Sequence, residues 1–259
     1  DLMLLIGIVK SGSRGGFIGL ITVLLYVLVR YRSIPSRVRL FAAVAGVVLV
    51  AALGSDKYWT QISTIAHPET DYNWTDPAGR KAVWERGLGY VEQHPVMGVG
   101  VKAYPIAEGT LSEIGRSLSA QGRGFKWSVA HNSFLETAAE LGIPGLIVFV
   151  SFFVVAVRML TRVKPGRRYG PWISTRETAI AQMLVGAMVG FAVAGIFVSA
   201  EYFSYLYFLL GLVIGFDKVL RLRRDAAWAA LAAAGRPVRL ATAPPPASVP
   251  GAAMALPRL

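Results

Sequence analysis

Arg14 stands among small residues in Ser11-Gly12-Ser13-Arg14-Gly15-Gly16, Arg80 precedes Trp84 by one helical turn, and His131-Asn132 precedes a short helix-like stretch. Guanidinium forks can grip two phosphate oxygens at once. A neutral imidazole can take the proton of a hydroxyl as a bond forms. These residue types suit chemistry on a phosphate-bearing substrate. Around His131, Ser133 and Glu136 fit a capping box. The spacing predicts a helix over 134–141, a C′ glycine at Gly142 and the first turn of the next helix at Pro144. His131 would then lie two residues outside a helix N-terminus, whose dipole favours anions and a neutral imidazole. A capping or interface histidine satisfies the same pattern. Arg14 lies between apolar runs, where an arginine needs a partner or an anionic ligand, or snorkels to the interface. Asp76-Pro77 reads as N-cap and N1 of a helix reaching about residue 92, with Val83, Leu88 and Val91 as its apolar stripe. On it, Arg80 could bind phosphate, stack on Trp84 or lie in solvent.

Other chemistries find little support. The chain has no cysteine, which removes disulfides and thiolate sites. His67, His94 and His131 lack metal-ligand spacing. Neither H-E-x-x-H nor G-x-S-x-G occurs. No metal site and no cofactor is expected. Glu69, Asp71 and Asp76 read as a solvated acidic loop, and Gly98-Val99-Gly100 as a turn.

The elements that must position these residues are apolar. The 259-residue chain is 54% hydrophobic and carries 27 Lys+Arg against 15 Asp+Glu. That balance fits a membrane protein or a nucleic-acid binder, and the long uncharged runs decide for the membrane. Spans are expected at 15–29, 40–54, 143–157, 178–200 and 202–216, with the end of another at 2–9. Because 2–9 is too short for the ~30 Å core and the chain opens on Asp1, further spans are expected upstream. Residues 55–133 form one long polar loop. The predicted architecture is all-α and polytopic: a membrane domain over 1–217, then a basic and Ala/Pro-rich disordered tail over 218–259.

Basic residues cluster at Arg30, Arg32, Arg37 and Arg39, from Arg158 through Arg167 and Arg168 to Arg176, and from Lys218 to Arg224. The positive-inside rule puts these regions in the cytoplasm and the long loop outside. Arg14 and His131 then face the same outer compartment. Only Gln182 is clearly polar within a predicted span, which disfavours a transporter with mid-membrane charges. A structural subunit would have no use for Arg14 and His131 on one face.

In order, "SGSRGG" opens a span, "GRKAVWERGLGYVEQHPVMGVG" lies in the outer loop, and "AHNSFLETAAELGIPGL" returns to the membrane. This order resembles the O-antigen ligase family and its polymerase relatives of bacterial envelopes. The likeness runs from Leu2 to about Phe216. It implies a metal-independent, inverting glycosyltransferase in the inner membrane, with its site facing the periplasm. The donor would be a glycan on undecaprenyl diphosphate, and the acceptor the lipid A core or, in a polymerase, another lipid-linked glycan. Membrane lipids surround such a protein, and no nucleic acid takes part. The resemblance makes His131 the catalytic histidine and Arg14 and Arg80 the diphosphate-binding arginines. Family members are about twice as membrane-rich, so an N-terminal half is expected to precede Asp1.

Overall fold

A computed structural model describes residues 2–31, 34–123, 127–166 and 168–234. Arg32, Arg167 and the stretch 235–259 lie outside the described residues. Every regular element among the described residues is helical. In chain order these are α1 (Leu2–Lys10), α2 (Arg14–Arg30), α3 (Ser36–Leu53), α4 (Asp56–Ser63), α5 (Tyr72–Thr75), α6 (Arg80–Gln93), α7 (Tyr104–Thr110), α8 (Glu113–Ala120), α9 (Ser133–Thr161), α10 (Thr175–Gly195) and α11 (Ser204–Ala233).

Three helices, α3, α9 and α10, are long and apolar enough to cross a membrane. Their apolar surface is largely unburied within the chain: Phe41 is 76% and Ile147 63% exposed. Such faces are stable against lipid and would be costly in water. The main core joins Phe149, Phe153 and Leu160 of α9 to Val185 and Met188 of α10 and to Leu206 of α11.

Between α2 and α10 the contact is close because the residues are small. A side-chain carbon at Gly15 would sit 2.5 Å from Phe197 Cβ, and one at Gly190 2.6 Å from Val23 Cγ2. Gly15 and Gly19 on α2, and Gly186 and Gly190 on α10, recur at the four-residue spacing that lets helices approach in a bilayer. This seam fixes Arg14, at the first turn of α2, against the segment that follows α10.

Several expected boundaries move. The predicted spans 178–200 and 202–216 become α10, ending at Gly195, and α11, starting at Ser204, with a non-helical segment between them. The helix expected from Pro77 begins at Arg80 instead, capped by Gly79. Asp76 accepts from the backbone N–H of Ala78 at 2.7 Å, so the Asp-Pro pair closes a turn. Leu88 is 56% exposed, and the face of α6 that is buried carries Val83, Gly87 and Tyr90.

The disordered tail expected from Lys218 is helical through Ala233. Asp217 explains why. It is buried, accepts from Tyr169 Oη at 2.6 Å, and pairs with Arg221 and, at 3.5 Å, with Arg168. Further along, Trp228 packs edge-on against Trp172 at 5.1 Å. The alanine-rich sequence has high helix propensity but no apolar period, so these contacts could not be read from it. Asp217→Ala leaves the arginines and Tyr169 without their shared acceptor. The arginines, 36% and 49% exposed, can turn to water, so the main cost is the buried Tyr169 hydroxyl losing its acceptor, about 1–3 kcal/mol. Thermal unfolding of the solubilised protein should show a clear drop, and an unchanged midpoint would remove this cluster as the anchor of α11.

The basic clusters meet at one end of the bundle. Arg30 and Lys164 line one cavity, Arg168 and Arg221 share Asp217, and Arg39 donates to the carbonyls near the end of α2. Arg14 lies at the other end of α2, which has 17 residues and is about 25 Å long.

Candidate active site

Ser13 caps α2, its hydroxyl accepting from Gly16 N–H at 3.0 Å. Arg14 is thereby the first helical residue and points its guanidinium at the loop. Its Nη1 donates to Thr64 Oγ1 at 2.7 Å and pairs with Asp71. Asp71 is buried rather than part of a solvated acidic loop, as the sequence suggested. Burial pushes its carboxyl up, but hydrogen bonds from Arg14 and Asn73 and the Arg14 charge outweigh that and hold it below the usual range. A lowered carboxyl contributes stability above its unfolded value of about 3.9 and loses it only as pH falls further. The Arg14–Asp71 pair is therefore intact at neutral pH.

Arg80 opens α6 and shares a cavity of about 240 Å³ with Arg14. Trp74, Lys81, Trp84 and Phe197 are among the other residues of its wall. Burial, with the Arg14 charge beside it, lowers the Arg80 guanidinium below its ordinary value. Among the described residues no carboxylate lies within ion-pair distance of Arg80; its one hydrogen bond is a long 3.5 Å contact to Phe197 O. Lys81 pairs loosely with Glu85 at 3.9 Å. The cavity thus holds more positive than negative charge in a partly desolvated wall. Trp74 and Trp84 add flat apolar faces of the kind that pack on sugar rings or lipid chains.

His131 is exposed and is not among the residues lining this cavity. It sits on the neighbouring segment, joined to the wall by two short links. Trp84 Nε1 donates to Ala130 O at 2.7 Å. His131 N–H donates to Ser199 Oγ at 3.0 Å, two residues beyond Phe197. The backbone at His131 is left-handed, with φ 52°, a conformation that costs a non-glycine residue about 1–2 kcal/mol. The neighbours that impose it are polar. Glu136 accepts from Ala130 N–H at 3.1 Å and from the Ser199 hydroxyl.

This corrects the capping box expected at Ser133 and Glu136. Asn132 is the N-cap of α9, accepting from Phe134 and Leu135 N–H at 3.1 Å. Ser133 instead accepts from Ala200 N–H at 2.8 Å and donates to Val198 O. Both side chains serve the segment after α10 rather than their own helix. A polar Ser199-Ala200-Glu201 run at the end of an apolar stretch was the sequence signal for that segment.

The kink at Gly142 follows expectation, with φ 69° inside α9. Ile143 N–H donates to Pro95 O at 2.8 Å, and Val99 and Gly100 N–H take the carbonyls of Ala139 and Glu140. The loop turn therefore caps the short helix before the span begins. Glu140, fully buried, accepts from Lys102 and Tyr104 N–H and from Tyr202 Oη. Glu108 holds Arg86 and Tyr90 in the same way. Among the described residues no group of three His, Asp or Glu side chains is close enough to hold a metal ion.

A family model described as O-antigen ligase matches residues 1–150, more than half the chain. The chain belongs to the O-antigen ligase family. The match takes in Arg14, Arg80 and His131. No curated protein matches the chain. In this O-antigen ligase family member the segment after α10, which binds the backbone of His131 and touches Arg80, lies beyond the matched residues. Membership brings polysaccharide and lipid-linked substrates into view, and an oxyanion-hungry cavity beside apolar helices is suited to them.

Proposed function

We propose that the chain is a ligase-type glycosyltransferase that moves a glycan from undecaprenyl diphosphate to an acceptor sugar of the lipid A core, at the periplasmic face of the inner membrane. The observation that carries this reading is Arg80, a desolvated arginine beside Arg14 that has no carboxylate within ion-pair distance among the described residues. Arg80 and the free donors of Arg14 would take the diphosphate, and the tryptophans the adjoining apolar or sugar surface. His131, on the next segment, would meet the acceptor hydroxyl. The acceptor oxygen bonds to the anomeric carbon as the bond from that carbon to the diphosphate oxygen breaks. The hydroxyl proton passes late to His131, because a sugar hydroxyl is too weak an acid to ionise first. The charge developing on the diphosphate is met by the arginines. Attack opposite the leaving group inverts the anomeric centre.

The test is transfer by the purified full-length protein from a glycan on undecaprenyl diphosphate. Lipid A core and a second lipid-linked glycan are offered as separate acceptors, and products are weighed by mass spectrometry. A glycan–core adduct is the expected product. Lengthened lipid-linked glycan alone would make the protein a repeat-unit polymerase. Folded protein that transfers to neither acceptor would overturn the reading. Arg80→Ala should slow transfer by about 10²-fold, the size of one lost contact to a developing charge.

A further inference from the structure

A second cavity, of about 240 Å³, is bordered by Ser11 and Gly12 of the turn that precedes Arg14. Its floor is Val9 and Leu53, at the ends of α1 and α3, and its walls carry Lys10, Lys57, Tyr58 and Gln61. Two features mark it as more than a crevice. Among the described residues neither lysine has a carboxylate within ion-pair distance, so two cations meet there unneutralised. Tyr58 is only 4% exposed, yet among the described residues its hydroxyl has no hydrogen-bond partner. Its ring is held edge-on between Phe17 and Trp59, which fixes the hydroxyl rather than letting it swing to water. A buried hydroxyl without a partner is destabilising, and such a group in a native fold calls for a bound water or ligand.

We infer that this cavity binds a phosphate group, supplied by the headgroup of an anionic phospholipid. Lys10 and Lys57 face the phosphate charge, and Tyr58 and Gln61 donate to its oxygens. The apolar floor argues for a lipid. Val9 and Leu53 lie where two helices end, so a ligand here meets apolar surface and cations in one cavity, the two characters that a phospholipid itself combines. None of these residues lines the Arg14–Arg80 cavity.

Native mass spectrometry of the full-length protein in detergent, titrated with phosphatidylglycerol or phosphatidylcholine, tests this. Wild-type protein should retain phosphatidylglycerol at least tenfold better than phosphatidylcholine. Lys10→Gln with Lys57→Gln should lose that preference; both lysines are exposed, so the fold is kept. Tyr58→Phe should weaken phosphatidylglycerol binding several-fold without lowering the lipid-free melting temperature, because it removes a hydroxyl that has no bond to lose. Inorganic phosphate that competes at millimolar concentration would show the same site serving a free anion, and lack of competition would assign it to the lipid. Equal retention of the two lipids, unchanged retention in the double lysine variant, or unchanged binding in Tyr58→Phe would each overturn the inference.

Discussion

Replacing His131 should lower glycan transfer by about 10²–10⁴-fold, the usual contribution of a general base, with little change in folded protein. The side chain is exposed, so its removal opens no cavity. The backbone sets the choice of variant, because φ is 52° there. Alanine adds left-handed strain without a compensating contact. Asparagine tolerates that conformation better than other non-glycine residues, so His131→Asn separates the imidazole from the loop shape. The measurement is initial transfer rate per folded molecule in detergent or nanodiscs. His131→Asn should be as inactive as His131→Ala if the imidazole moves the proton. Near-normal transfer by folded His131→Asn would reduce His131 to a loop residue held by Ser199. Glu136 then supplies a contrast: it touches the backbone at Ala130 and the Ser199 hydroxyl, so Glu136→Ala should act by displacing the segment. A misplacement of about 1 Å can cost 10² in rate.

At Arg14, alanine and lysine should part company. If Arg14 binds the diphosphate as proposed, Arg14→Ala removes a contact worth roughly 2.7–4 kcal/mol of transition-state stabilisation, or about 10²–10³ in rate. It also strands Asp71, which is 5% exposed, and breaking a buried pair from one side costs about 3–5 kcal/mol. Stability and rate should both fall. Arg14→Lys keeps the charge opposite Asp71, so stability should be largely retained. One guanidinium nitrogen already serves Asp71 and Thr64, and the fork leaves other donors for a ligand. A lysine has a single nitrogen, committed to Asp71, and no fork. Arg14→Lys should therefore fold normally and transfer at only a fraction of the wild-type rate. Full activity in Arg14→Lys would mean that Arg14 is an anchor for Asp71 and nothing more. Full activity per folded molecule in Arg14→Ala would take it out of the site.

The elements legible in the chain are those that rest on local rules. Long uncharged runs specify apolar helices because the bilayer or a core must take them. Gly142 breaks α9 because cap geometry is written in neighbouring residues. The ordered stretches around Arg14, Arg80 and His131 were enough to indicate the family. The tertiary structure decided what depends on residues far apart in the chain. Asp71 reads as a solvated loop acid until Arg14, 57 residues away, is brought to it. Ser133 and Glu136 carry a capping pattern, yet the segment after α10, over 60 residues on, claims both side chains. Lys218 to Ala233 has no apolar period, and it is helical because Asp217 and Trp228 find Tyr169 and Trp172. Hydrogen-bond and ion-pair partners are chosen by desolvation: a buried polar group must be satisfied by whatever the fold places within about 3 Å. No local pattern contains that choice, so residue types can name candidates while only packing assigns their partners.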